Sequence, residues 1–130
     1  MGSPTLHRTS VEGKEMGEIE EHLHRGIALK TEGRYDEAKA ELLAVVCADC
    51  AHAEAHRQLG LVYGFSGLFD ESIEELRKAV ELDPENTDAR NDLALTYCML
   101  GMMDEAKSEF EAVLSREPSN ETALKNMVYF

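Results

Sequence analysis

Ala53–Asn86 reads AEAHRQLGLVYGFSGLFDESIEELRKAVELDPEN, and this stretch decides the fold. It holds two short apolar sets. Ala55, Leu59, Val62 and Tyr63 form the first; Ile73, Leu76, Ala79 and Val80 form the second. Both recur at steps of three and four residues, the helical period that gathers side chains on one face of an α-helix. Gly67 stands where the first helix must stop. Asp83-Pro84 ends the second, because proline has no N–H to continue the hydrogen-bond ladder.

Outward from this stretch the pattern recurs. Gly33 to Gly67 and Gly67 to Gly101 are each 34 positions, and so is Pro84 to Pro118. Tyr63 maps onto Tyr97, Leu76 onto Phe110 and Ala79 onto Val113. A fixed period of this size signals stacked copies of one helix–turn–helix unit.

The middle copy carries His56, Leu59-Gly60, Tyr63, Gly67, Ser72, Leu76, Ala79 and Pro84. The third carries Arg90, Leu93-Ala94, Tyr97, Gly101, Ala106, Phe110, Val113 and Pro118. The first is weaker: His22, Arg25-Gly26, Leu29, Gly33, Ala38, Leu42, Val45, and Cys50 in place of proline. In these residues the chain resembles the tetratricopeptide repeat family over about residues 19–120. The resemblance implies an all-α fold: a right-handed superhelical solenoid of three hairpins plus a trailing C-terminal helix. The expected repeats are 19–52, 53–86 and 87–120, with the trailing helix over 121–130. Residues 1–17 are polar and without periodicity, and are expected to form a flexible segment.

Composition narrows the function. The net charge of −13 argues against nucleic acid, whose phosphates would be repelled, and against anionic membrane surfaces. No apolar run approaches the ~20 residues that span a bilayer, and the N-terminal residues do not read as a signal peptide. Three cysteines cannot all pair within one chain, so a reducing, cytoplasmic setting is expected. No phosphate loop or paired-carboxylate site stands out, so neither an enzyme nor a cofactor is expected.

By the resemblance, each first helix faces the inside of the superhelix, and five of its positions line a groove. The groove set comprises Glu20, Leu23, Ile27, Lys30 and Thr31 in the first copy, Glu54, Arg57, Leu61, Gly64 and Phe65 in the second, and Asp88, Asn91, Leu95, Cys98 and Met99 in the third, with Thr122, Lys125 and Tyr129 from the trailing helix. Its apolar members suggest docking of an apolar helix or peptide. Glu20, Glu54 and Asp88 form an acidic border that favours basic flanks on that partner. The alternative is self-association through the groove or the apolar end Val128–Phe130. Some family members grip a C-terminal carboxylate with Lys and Asn side chains. Here those positions hold Leu23, Ile27, Gln58, Asp88 and Asp92, and the acids would repel it.

Cys47, Cys50, His52 and His56 lie within ten residues and have the ligand types of a zinc site. Their spacing lacks the long gap of a zinc finger, so no metal is expected. The favoured reading is a turn that has lost its proline, with Cys47 as a small hydrophobe. A Cys47–Cys50 disulfide is the other alternative. His22 is expected to pack where the family often has Trp, and His24 to be solvated.

Overall fold

A computed structural model describes the backbone of residues 3–130 and the side chains from residue 17 onward. The described residues form seven helices and no strand. These are α1 (Ser3–Thr31), α2 (Tyr35–Ala48), α3 (Ala53–Phe65), α4 (Phe69–Leu82), α5 (Thr87–Met99), α6 (Met103–Arg116) and α7 (Glu121–Met127). Helices α1–α6 pair into three hairpins stacked in chain order. The first helices touch one another, α1 on α3 and α3 on α5, whereas no comparable packing joins α2 to α4 or α4 to α6. The stack is therefore tighter on the first-helix side, which makes that side concave.

Two boundaries differ from the sequence expectation. Helix α1 starts at Ser3, not near Glu18, so most of the expected flexible segment is drawn as helix. Pro4 sits in the first turn, where its missing N–H is no loss, and no later proline interrupts the helix. Residues 1 and 2 lie outside the described residues. At the other end, α7 stops at Met127, so Tyr129 stands beyond the helix expected to carry it.

The turn within each hairpin is the same in every copy. Gly33, Gly67 and Gly101 have φ of 80°, 80° and 75°, in the left-handed region. The next residue's N–H then reaches back five positions: Arg34 to Leu29 O, Leu68 to Tyr63 O and Met102 to Tyr97 O, each at 2.9 Å. This closes the first helix and leads directly into the second. The second helices accordingly lack a side-chain cap, and Asp36-Glu37, Asp70-Glu71 and Asp104-Glu105 complement their N-terminal dipoles instead. Helices α3, α5 and α7 are capped by His52, Asn86 and Asn120, which accept from the N–H three residues on.

Close approach within a hairpin depends on a missing side chain. A Cβ on Gly60 would lie 2.7 Å from Leu76 Cγ and 3.2 Å from the Ser72 carbonyl; one on Gly26 would lie 2.8 Å from Leu42. Gly60→Ala should therefore destabilise the fold by about 1–3 kcal/mol through overpacking. Urea unfolding checks this, and an unchanged midpoint would refute the close-approach account. The buried apolar residues form two clusters. One joins α1, α2 and α3 around Leu42, Val45 and Leu59; the other joins α4 to α7 around Leu76, Phe110 and Val113.

Where the family often has Trp, this chain carries a polar bridge in every copy. His22 pairs with Glu41, His56 with Glu75 at 2.6 Å, and Arg90 with Glu109 at 2.9 Å. Each pair is 19 residues apart and ties the two helices of a hairpin. His56 and Arg90 also reach back six residues across the turn between repeats. His56 Nε2 lies 2.8 Å from the Cys50 carbonyl, and Arg90 Nε donates to the Pro84 carbonyl at 3.0 Å. His22 is thus half-buried, as expected, but is held by its bond to Glu41 rather than by apolar packing, while His24 is exposed.

The Glu41 carboxyl is held below the usual carboxylate range, first by the hydrogen bond with His22 and further by Arg25. A carboxylate with a depressed folded pKa adds stability above its unfolded value of about 4.3. It loses that stability as pH falls through the lower folded value. Glu41→Gln should lower stability at neutral pH, with the difference from the parent vanishing in strong acid. Denaturant unfolding across a pH series measures this. A difference that persists unchanged in acid would contradict it.

Candidate functional site

The concave face is built from α1, α3 and α5, and a polar network runs across all three. Lys30 Nζ donates to Gln58 Oε1 at 2.6 Å, and Gln58 Nε2 donates to Glu54 Oε1 at 2.9 Å. Arg57 donates to the same Glu54 oxygen at 3.1 Å and, through Nε, to Asp92 Oδ2 at 2.7 Å. Burial pulls the Lys30 ammonium down, and the nearby Arg57 charge adds to this. Burial pushes the Asp92 carboxyl up, against the opposing pull of Arg57. An acid kept on this face despite desolvation is the kind of group that marks a working surface.

Beside the network lies a pocket of about 270 Å³. Leu61, Gly64 and Phe65 of α3, Ser72 of α4, and Asp92, Leu95, Thr96 and Met99 of α5 line it. Gly64 helps to open it: at the equivalent places α1 has Lys30 and α5 has Cys98. Phe65 is 60% exposed and Met99 65% exposed at its rim. The Phe65 ring also stacks on Tyr35 of the preceding hairpin, with centroids 5.7 Å apart. The pocket is therefore apolar except for one carboxylate and two hydroxyls. Ser72 Oγ donates to the Gly60 carbonyl and Thr96 Oγ1 to the Asp92 carbonyl.

The structure divides the expected groove set. Leu61, Phe65, Leu95 and Met99 converge on the pocket. Glu54 and Arg57 belong to the polar network, and Glu20 and Asp88 are exposed. Leu23 and Asn91 are not part of an open surface. They are 6% and 5% exposed, and Leu23 lies within the first apolar cluster. Ile27 is half-buried against that cluster. Asn91 donates to Asn120 Oδ1 at 3.1 Å, but its own Oδ1 is buried without a partner. Tyr129 is 76% exposed past the end of α7.

Asp92, Thr96 and Gln58 were absent from the expected groove set, which did include Lys30 and Gly64. Asp92, Leu95, Thr96 and Met99 are spaced at i, i+3, i+4 and i+7, so their shared face was readable.

The expected cysteine–histidine group serves other purposes. His52 caps α3, and His56 is held between Glu75 and the Cys50 carbonyl. Cys47 and Cys50 are free and exposed, so Cys47 is not the part-buried hydrophobe expected. Among the described residues no three His, Cys, Asp or Glu converge as metal ligands. No described helix is long and apolar enough to cross a membrane.

Comparison with known proteins places this architecture. Residues 66–128 match the family model described as tetratricopeptide repeat. No curated protein matches the chain. Among solved structures, the first TPR of Spaghetti (RPAP3) bound to HSP90 peptide SRMEEVD superposes with a TM-score of 0.83. It is 23% identical, over 87% of this chain and 90% of that one. The second TPR domain of human RPAP3, in complex with HSP70 peptide SGPTIEEVD, is 25% identical over 88% and 95%, with a TM-score of 0.82. MamA is 26% identical over 88% and 67%, with a TM-score of 0.78. With its 34-residue period, its left-handed glycine turns and these matches, residues 66–128 belong to the tetratricopeptide repeat family and the described chain as a whole has that family's fold.

Proposed function

We propose that this chain is a protein-interaction module, a scaffold or adaptor that takes an amphipathic helix or peptide against its concave face. The observation that carries the reading is the pocket between α3 and α5, with Phe65 and Met99 exposed at its rim. Neither side chain belongs to an apolar core cluster, and although Phe65 stacks on Tyr35, both keep most of their surface open. Met and Phe adapt to an apolar helix face.

The partner's charge is inferred from the same surface. The two similar RPAP3 domains hold peptides that both end in the acidic sequence Glu-Glu-Val-Asp. In this chain Asp88 and Asp92 lie on α5, and Leu23, at another position used by a carboxylate grip, is buried. A peptide with apolar anchors and basic flanks suits this face better than an acidic tail. The proposal includes the cytoplasmic setting expected from composition.

A displayed random-peptide library panned on the immobilised chain tests the reading. Enriched peptides should bind the parent and fail on Leu61→Asp, while Leu43→Asp on the convex face leaves binding intact. Equal binding to all three would remove the groove from consideration.

A second reading, self-association, draws on the exposed Val128 and Tyr129 at the chain end. Phe130 is partly used within the chain, where it meets Phe110 at a ring separation of 6.2 Å. Sedimentation over a wide concentration range decides it: a dimer that Val128→Asp dissociates supports this reading, and a monomer throughout ends it.

A further inference from the structure

We propose that the α3–α5 pocket is a socket for one arginine side chain of the partner, seated on the free oxygen of Asp92. The proposal rests on the groove reading above and adds the residue that the groove selects. Asp92 Oδ2 is taken by Arg57, but Oδ1 makes no hydrogen bond among the described residues. It is not among the sealed polar atoms, of which Asn91 Oδ1 is the one found among the described residues. An acceptor is therefore open in a wall that is otherwise apolar apart from the Ser72 and Thr96 hydroxyls, both already donating within the chain.

The pocket's size and walls fit such a side chain. At about 270 Å³ it is smaller than the roughly 300–1,000 Å³ of sites for whole small molecules. Leu61 and Leu95 can flank an aliphatic stem, and the exposed Phe65 ring offers a face to a guanidinium. Arginine suits the place better than lysine, because a guanidinium is planar and more weakly hydrated than an ammonium. The charges around Asp92 are mixed. Arg57 contacts it, Lys30 is committed to Gln58, and Asp88 lies one turn earlier on α5. Burial already disfavours the Asp92 charge, so a second cation relieves an acid that Arg57 leaves incompletely compensated.

Two substitutions separate this role from a structural one. Asp92→Asn and Arg57→Gln break the same ion pair. A purely structural pair would make both variants bind less well. The socket predicts opposite signs. Asp92→Asn should weaken an arginine-bearing peptide by about tenfold or more. Arg57→Gln should tighten it, since the carboxylate then serves the ligand alone.

The probes are peptides enriched from the displayed library, synthesised with each arginine or replaced by uncharged citrulline. Titration calorimetry on the full chain gives the affinities, and circular dichroism melts confirm that both variants fold. One arginine should account for most of the charge dependence, and its citrulline form should be indifferent to Asp92→Asn. Peptides that require Leu61 but carry no arginine, or that lose affinity equally in both variants, would overturn the socket and leave the groove reading standing. Enriched peptides indifferent to Leu61→Asp would overturn both.

Discussion

Replacing Phe110 with alanine is expected to lower the unfolding free energy by about 3–5 kcal/mol, the usual range for a fully buried ring. Phe110 has no exposed surface and lies in the cluster that joins α4 to α7. It holds the place that Leu42 and Leu76 take in the earlier copies, and its ring also meets Phe130. Its loss removes the transfer free energy of an aromatic ring and leaves a cavity that four helices must close around. The damage should be local. In a solenoid each repeat is stabilised by its own packing and by its nearest neighbours, so the C-terminal hairpin weakens first. Hydrogen exchange should accelerate in α6 and α7 well before α1 and α2. Uniform acceleration along the chain would show that the two apolar clusters unfold as one unit, against this account.

The largest effect on function is expected at Leu61. Leu61→Asp should reduce the affinity of groove-bound peptides by about two orders of magnitude. Burying a leucine against a ligand contributes about 1.5–3 kcal/mol, and each 1.4 kcal/mol is a factor of ten. A new carboxylate in the same pocket adds a desolvation cost for any apolar anchor. The fold should survive, because Leu61 is half-buried and belongs to neither core cluster. Phe65→Asp should weaken binding as well, but it is the less clean probe. It also removes the stack on Tyr35, a contact of about 0.5–1.5 kcal/mol between neighbouring hairpins. A Leu61→Asp protein that melts like the parent and still binds the same peptides would place the docking surface elsewhere.

The polar bridges change how the family resemblance should be used. A Trp-like packing role for His22 follows from position alone. The structure shows instead a repeated bond from a basic side chain to an acid 19 residues later. In two copies that side chain also holds a carbonyl of the preceding turn. The chain therefore replaces apolar bulk at this site with directional hydrogen bonds. His56 and Glu75 are both well buried, so either would be costly to leave alone.

Helices, turns and period were legible in the sequence because they arise from contacts within about four residues. Apolar spacing marked each helix, the glycines at 33, 67 and 101 marked turns that need a positive φ, and a 34-residue repeat fixed the stacking order. The extension of α1 to Ser3 was not legible, since a polar helix leaves no apolar period to read.

Which groove positions remain open was decided only by tertiary structure. Leu23, Arg57 and Asn91 hold equivalent places in three copies, yet one enters the core, one spans to the next repeat and one is sealed beside α7. Their fates depend on contacts about 30 residues away, between hairpins whose local patterns are nearly identical. The pocket likewise needs Gly64 on one helix and Asp92 on another to meet. A repeat's own residues specify the hairpin, but the surface it presents is set by what its neighbours cover.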